Sequence, residues 1–292
     1  MKNLSTLLIL SLFLSHCSHL LENSDFNFTD VQALDPSSIK SDLTIFKTKY
    51  GHRNKLYEVE TFLCLRQDKP PLGQQFFLLF HQETEHFNSK SLCQSPTIIA
   101  FLNANFSVVA FNRPGFGQSN GEKELLGDHN IQAATVALNA VQRFTESRSL
   151  DLKLAGVWGY SLGASEALAF VKQKNDPKLK IIAGGGAFDL PAVLNSTNSK
   201  EVKSILEKDL AADNSALDNK SIAFDFEELN FSHLYLYHAK SDVTIPSGQA
   251  EAFSEALRTS EKRVQIQLIE SESHDLPEGK HGALLQYILG KL

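Results

Sequence analysis

The chain is poor in several features that mark special classes of protein. Three cysteines in 292 residues are too few for a fold held by a disulfide framework. Neither charge dominates: 28 Lys and Arg stand against 34 Asp and Glu, a formal charge of −6. That acidic balance argues against a nucleic-acid partner and against electrostatic docking on anionic lipid. There is no internal repeat and no low-complexity tract. No cluster of His, Cys and Glu has metal-ligand spacing, and the P-loop pattern is absent. Gly115-Phe116-Gly117 with Gly121 comes near a dinucleotide loop. However, its last glycine stands one residue too far on, and Pro114 and the polar stretch Gln118 to Lys123 do not open a helix at once. No cofactor is implied. What is present, 42% hydrophobic and 21% charged residues, is ordinary for a globular chain. The length suits one large α/β domain or two small ones.

The N-terminus reads as a segment apart. Lys2 is followed by an apolar stretch of eleven residues, Leu4 to Leu14. A membrane span needs about 20 residues, so this length suits the core of a signal peptide instead. Leu14-Ser15-His16-Cys17 follows, and it resembles the lipobox of bacterial lipoproteins, although His16 stands where a small residue is usual. The resemblance implies cleavage before Cys17, lipidation of Cys17, and export to the bacterial cell envelope with a lipid anchor as the link to the membrane. An uncleaved N-terminal anchor, or cleavage elsewhere, would also export the chain. Cys64 and Cys93 would then remain as an even pair in an oxidising compartment, either bridged or as two buried thiols.

Residues 17–40 read as a tether or irregular arm, and residues 41–292 as one domain. Two β-rich stretches, Leu43 to Tyr50 and Leu56 to Leu65, flank the turn-like Gly51-His52-Arg53-Asn54. Phe76 to Phe80 is a continuous apolar run, as expected of a strand buried on both faces. Ser95-Pro96 opens a helix. Strands are expected at Phe106 to Phe111, Leu152 to Val157, Leu179 to Ala183, His233 to Tyr237 and Val264 to Ile269. Helices are expected at His129 to Phe144, Leu162 to Lys172, Ala250 to Leu257 and Ala283 to Leu292. This alternation predicts a doubly wound, mostly parallel sheet with helices on both faces. Residues 190–230 interrupt it after the sixth strand with a polar, partly helical insertion (helix Glu201 to Leu210). So long a connection is either a cap-like lid or a surface decoration.

The chemistry falls on strand ends. Gly159-Tyr160-Ser161-Leu162-Gly163 has the G-x-S-x-G form between a strand and a helix. The flanking glycines allow a very tight turn that lifts the Ser161 hydroxyl clear of the sheet, above the N–H groups of a helix start. Ser161 is therefore the expected nucleophile. A serine needs a base, and the base an orienting acid. Asp242 lies in the loop after strand His233 to Tyr237, where open α/β sheets form their sites, and is the expected acid. Asp189, also just past a strand, is the alternative acid, or a cap or turn residue. His274 follows strand Val264 to Ile269 and is the expected base. His281, seven residues on near the last helix, is the alternative base.

Ser161, Asp242 and His274, in this order on these strand ends, resemble the α/β-hydrolase superfamily over about residues 76–292. Asn112-Arg113-Pro114-Gly115-Phe116-Gly117-Gln118-Ser119 is similar to that family's turn after its fourth strand, with Asn112 in place of the common Asp. Trp158 to Gly163 with Gly186 to Leu190 is similar to the prolyl-oligopeptidase-like and dienelactone-hydrolase-like branches. The resemblance implies an α/β-hydrolase fold. It also implies an oxyanion hole made by the backbone N–H groups of Leu162 and of Glu83, in His81-Gln82-Glu83, where many members carry His-Gly. Losing one such donor typically lowers the rate by about 100- to 1,000-fold.

The expected function is a serine hydrolase that cleaves an ester-like bond in a small-molecule or lipid-like substrate through an acyl-enzyme. Thioester or peptide cleavage on the same triad is the alternative chemistry. A non-catalytic surface binding module on this fold is the alternative class, motivated by the unusual His81-Gln82-Glu83 loop.

Overall fold

The computed structural model describes residues 27–28, 30–35, 39–68, 74–82, 87–88, 91–124, 126–271 and 273–292. Eight strands form one sheet: β1 (Ser41–His52), β2 (Lys55–Arg66), β3 (Gln75–Phe80), β4 (Phe106–Asn112), β5 (Lys153–Tyr160), β6 (Lys180–Gly184), β7 (His233–Ala239) and β8 (Val264–Ile269). Their spatial order is β1-β2-β4-β3-β5-β6-β7-β8. β1 pairs antiparallel with β2 and β2 with β4, and every later pairing is parallel. This is the doubly wound, mostly parallel sheet that the alternation of strand and helix predicts.

The helices are α1 (Pro96–Asn103), α2 (Asp128–Ser147), α3 (Leu162–Lys174), α4 (Leu190–Ser196), α5 (Lys200–Ala212), α6 (Ala216–Lys220), α7 (Gly248–Thr259) and α8 (Glu278–Leu289). Strand alternation feeds a core on each face of the sheet. In β3, Phe76, Leu78 and Phe80 join the cluster beneath α2, α3 and α7, while Phe77 and Leu79 join the one beneath α1 and α8. All five are fully buried, which explains a run with no polar residue. A third, smaller cluster joins Leu162 and Ile245 to Leu190, Val193, Val202, Leu206 and Leu217. The insertion after β6 thus packs as α4, α5 and α6 against the residue that follows Ser161.

Several boundaries lie outside the sequence expectation. β1 and β2 continue into the expected turn, which narrows to Arg53 and Asn54 with φ of 45° and 62°. Two successive left-handed residues match the right-handed twist of a hairpin. β5 continues to Tyr160, so Ser161 follows the strand directly. α8 starts at Glu278 and so includes His281 in its first turn. In the arm, Phe28 is buried and the Leu34 N–H donates to the Gly279 carbonyl at 2.9 Å, so this stretch lies on the domain. Cys64 on β2 and Cys93 before α1 are joined as a disulfide, with Cα atoms 5.6 Å apart. Among the described residues no helix is long and apolar enough to cross a membrane.

Candidate active site

The turn from β5 to α3 is set by contact distances. A Cβ at Gly159 would stand 2.1 Å from the Gly163 carbonyl oxygen, and one at Gly163 would stand 2.4 Å from the His81 carbonyl oxygen. Neither position has room for a side chain. Ser161 between them has φ 58° and ψ −131°, a conformation that costs a non-glycine residue about 1–3 kcal/mol. Its N–H donates to the Gly184 carbonyl at 2.9 Å and its carbonyl accepts from Ala164 at 3.0 Å, which hold it there. Leu162 opens α3, so its N–H belongs to the first turn, which has no acceptor within the helix.

The structure brings Ser161, His274 and Asp242 together. His274 Nε2 lies 2.9 Å from Ser161 Oγ, and His274 Nδ1 lies 2.6 Å from Asp242 Oδ2. With Nδ1–H donating to the carboxylate, Nε2 presents its lone pair to the hydroxyl and can take up its proton. Asp242 Oδ1 accepts from the N–H groups of Thr244 at 2.8 Å and Ile245 at 3.0 Å. Burial alone would push this carboxyl up. The hydrogen bonds of His238 and His274, the charge of His274 and the Ile245 N–H outweigh burial and hold the carboxyl well below the usual carboxylate range. The Tyr160 hydroxyl donates to the His274 carbonyl and ties the loop of His274 to β5.

The two alternatives are placed elsewhere. Asp189 accepts from the Ala192 N–H at 2.9 Å and caps α4, so its carboxylate serves a helix start and not an imidazole. His281 accepts at Nε2 from the Tyr237 hydroxyl at 2.7 Å, and that hydroxyl accepts from Trp158 Nε1 at 3.0 Å. Burial brings the His281 ring down to about 3, and it is His274 that faces Ser161. Glu83 and Cys17 lie outside the described residues.

The site also includes groups that the sequence reading leaves without a role. His238 Nε2, in β7, donates to the Ile245 carbonyl at 2.7 Å and approaches Asp242 Oδ2 at 3.3 Å. Its signal is a second histidine near the C-terminal end of the strand, four positions before Asp242. Arg113 and Glu166 form an ion pair at 2.8 Å with both side chains fully buried. Glu166 is visible in sequence only as one acid among the Ala and Leu residues of α3. Against Tyr160 and Asp275, the sequence neighbours of Ser161 and His274, lies a cavity of about 380 Å³ whose lining also includes Gln82, Phe87, Ser95 and Trp158. A larger groove of about 860 Å³ lies between α5, α6 and residues 123, 124 and 126–128, and neither cavity has Ser161, Asp242 or His274 in its lining.

The fold resembles that of enzymes with longer chains. An acylaminoacyl peptidase of Pyrococcus horikoshii superposes with a TM-score of 0.63 at 14% identity, over 92% of this chain and 44% of its own. A puromycin-hydrolysing peptidase of Mycobacterium tuberculosis gives 0.62 at 18% identity, over 84% and 37%. This chain therefore spans less than half the length of these peptidases. An esterase of Pyrococcus furiosus gives 0.59 at 13% identity, over 89% and 93%. No curated protein matches in sequence. The family model for the alpha/beta hydrolase fold matches residues 76–283, from the start of β3 into α8 and across every strand end that carries Ser161, Asp242 and His274, and the chain belongs to that family.

Proposed function

We propose that the chain is a serine hydrolase acting on an ester-like bond. The observation that carries this reading is His274, whose two ring nitrogens engage Ser161 and Asp242 at 2.9 and 2.6 Å. Ser161 Oγ attacks the substrate carbonyl while His274 Nε2 removes its proton. Asp242 fixes the tautomer and stabilises the imidazolium. The tetrahedral oxyanion forms against the N–H groups of Leu162 and Glu83, the alcohol leaves with the proton held by His274, and a water activated by His274 releases the acyl group. Carboxylesters lead over thioesters and peptides. Phe87, Leu92, Ile98 and Trp158 in the lining of the 380 Å³ cavity offer apolar surface to the acyl or alcohol part of such an ester, alongside the polar Ser91 and Ser95.

Lipidation of Cys17 and export to the cell envelope belong to the same proposal. The Cys64–Cys93 bridge supports it, since disulfides persist in oxidising compartments. Incorporation of an alkyne-tagged fatty acid in bacterial cells, lost in Cys17→Ser, is the expected result.

The enzyme reading is tested by reacting the purified chain with a fluorophosphonate and mapping the adduct by mass spectrometry. One adduct on Ser161, lost in His274→Ala and kept in His281→Ala, is expected. A folded sample that takes no label would favour the binding module.

A further inference from the structure

The insertion after β6 is fastened at both ends and lies against the loop of Asp242. Just before its start, the N–H groups of Phe188 and Asp189 both donate to Gln249 Oε1 on α7, at 3.1 and 2.8 Å. Its start is also tied to its end. The Leu190 N–H donates to Ser221 Oγ at 2.9 Å, and the Ala223 N–H donates to the Phe188 carbonyl at 3.0 Å. Between these ties, Val193 on α4 and Val202 and Leu206 on α5 share one buried cluster with Leu162 and Ile245. A lid that swings away would have to break this packing and uncover apolar surface to water.

The contact with the acid loop is made where α4 ends. Thr197 leaves the helix in an extended conformation, φ −68° and ψ 137°. Its Oγ1 donates to the Thr244 carbonyl at 2.6 Å, and the Asn198 N–H donates to the Val243 carbonyl at 3.0 Å. A trans peptide is planar, with its N–H directed opposite to its C=O. The plane that carries the Val243 carbonyl also carries the Thr244 N–H, and the plane that carries the Thr244 carbonyl also carries the Ile245 N–H. These are the two N–H groups that donate to Asp242 Oδ1, at 2.8 and 3.0 Å. Each peptide is thus held at its oxygen by the insertion and aims its hydrogen at the carboxylate. The next carbonyl, that of Ile245, accepts from His238 Nε2 at 2.7 Å, so three successive carbonyls of the loop are fixed.

We propose that the insertion is a brace for the acid of the triad, with Thr197 as its positioning residue: by clamping two successive peptides it aims their N–H groups at Asp242 Oδ1 and leaves Oδ2 turned to His274. This rests on the serine-hydrolase reading above, and it makes the insertion neither a swinging lid nor a surface decoration. Two hydrogen bonds to the charged carboxylate on one oxygen fix its rotation. Without them the carboxylate can turn, and Oδ2 leaves its place 2.6 Å from His274 Nδ1. The Thr197 hydroxyl suits the junction because it does two things at once. While donating to Thr244 it accepts from the Ser199 N–H at 3.1 Å, at the start of α5. Thr197 touches no reacting atom in this account.

The test uses the full chain with p-nitrophenyl butyrate as substrate. Thr197→Val keeps the shape of the side chain and removes the hydroxyl, whereas Thr197→Ser keeps the hydroxyl. Expected for the Val variant are a kcat lower by about 3- to 10-fold, the worth of one hydrogen bond, and a KM within about twofold. The Ser variant should stay within about twofold of the original kcat. A double-mutant cycle separates positioning from packing. In an Asp242→Ala background there is no carboxylate to aim, so Thr197→Val should change kcat by less than about twofold. A folded Val variant with undiminished kcat overturns the proposal, as does a Ser variant no better than Val or an undiminished Val effect in the Asp242→Ala background. If the Val variant does not fold, hydrogen exchange of the unaltered chain decides. The amides of Asn198, Thr244 and Ile245 should open together, with protection within about tenfold of one another. An Asn198 amide that exchanges more than about tenfold faster than the other two shows the insertion opening over a closed acid loop, which overturns the brace. Fluorophosphonate labelling of the unaltered chain separates the two levels. A labelled Ser161 with an indifferent Thr197 refutes only the brace, whereas an unlabelled, folded parent refutes the hydrolase reading and this inference with it.

Discussion

His281 is the histidine for which proximity to His274 in sequence suggests catalysis and burial dictates something else. Its ring lies among Trp158, Tyr160 and Tyr237, with desolvation bringing it down to about 3 from an ordinary 6.5. Below pH 6.5 the unfolded chain therefore binds a proton at His281 that the folded chain refuses. Stability is complete above that pH and falls as the pH drops towards the folded value. Linkage with these two values gives a loss of about 2 kcal/mol between pH 7 and pH 5 from this one group. Replacing His281 by Gln keeps an acceptor near the Tyr237 hydroxyl and removes the titration. The assay is urea unfolding of both proteins at pH 7, 6 and 5. Other groups cancel in the difference: His129, also lowered by burial, and Glu166, raised by burial, are present in both chains. The expected outcome is that the original chain loses about 2 kcal/mol more than His281→Gln over this range. If the two lose the same amount within about 0.5 kcal/mol, His281 is protonated in the folded state and the burial argument fails.

Four further outcomes follow from the geometry. Asp242→Asn should leave the fold intact and lower kcat about 10⁴-fold on p-nitrophenyl butyrate, because the amide favours the wrong imidazole tautomer. Asp189→Ala should cost about 1 kcal/mol of stability through the lost cap of α4, with no change in the rate of fluorophosphonate labelling. Removing the Cys64–Cys93 bridge by a double Ala substitution should cost about 3–4 kcal/mol in urea unfolding, from the chain entropy of a 29-residue separation. Gly163→Ala should impair labelling of Ser161 severely, since its Cβ would stand 2.4 Å from the His81 carbonyl oxygen, a backbone atom that can yield only by moving the loop.

The architecture was legible in the sequence because the strands of the parallel part are short, apolar or alternating as in β8, and set between stretches of helical spacing. The apolar runs of β3 and β5 and the G-x-S-x-G turn needed no tertiary information, since period and turn chemistry are local. The order Ser161, Asp242, His274 was legible because each lies just past the C-terminal end of a strand, Ser161 directly and Asp242 and His274 in the loops after β7 and β8. The choice of His274 over His281 was not settled by spacing. It depends on which ring the last loop turns towards Ser161 and which α8 buries. Likewise the hydrogen bonds from Arg113 to Gln82 and Glu166, and the approach of His238 to Asp242, join residues 31, 53 and 4 positions apart, respectively. The two longer pairings leave no periodic trace, and a single buried charge within a helix or turn reads as surface until the fold closes around it. The helices α4 and α6 escaped for another reason: at seven and five residues they are too short to show a periodic face.

The bridge between Cys64 and Cys93 makes a covalent ring that contains all of β3 and the segment leading from it. A single proteolytic cut anywhere inside that ring cannot separate the chain into two pieces. Nicked protein would migrate as one species on a non-reducing gel and split into two fragments only after a thiol is added. In a compartment where other enzymes degrade protein, a molecule cut once in that interval would keep its two parts tethered between β2 and the turn that precedes α1.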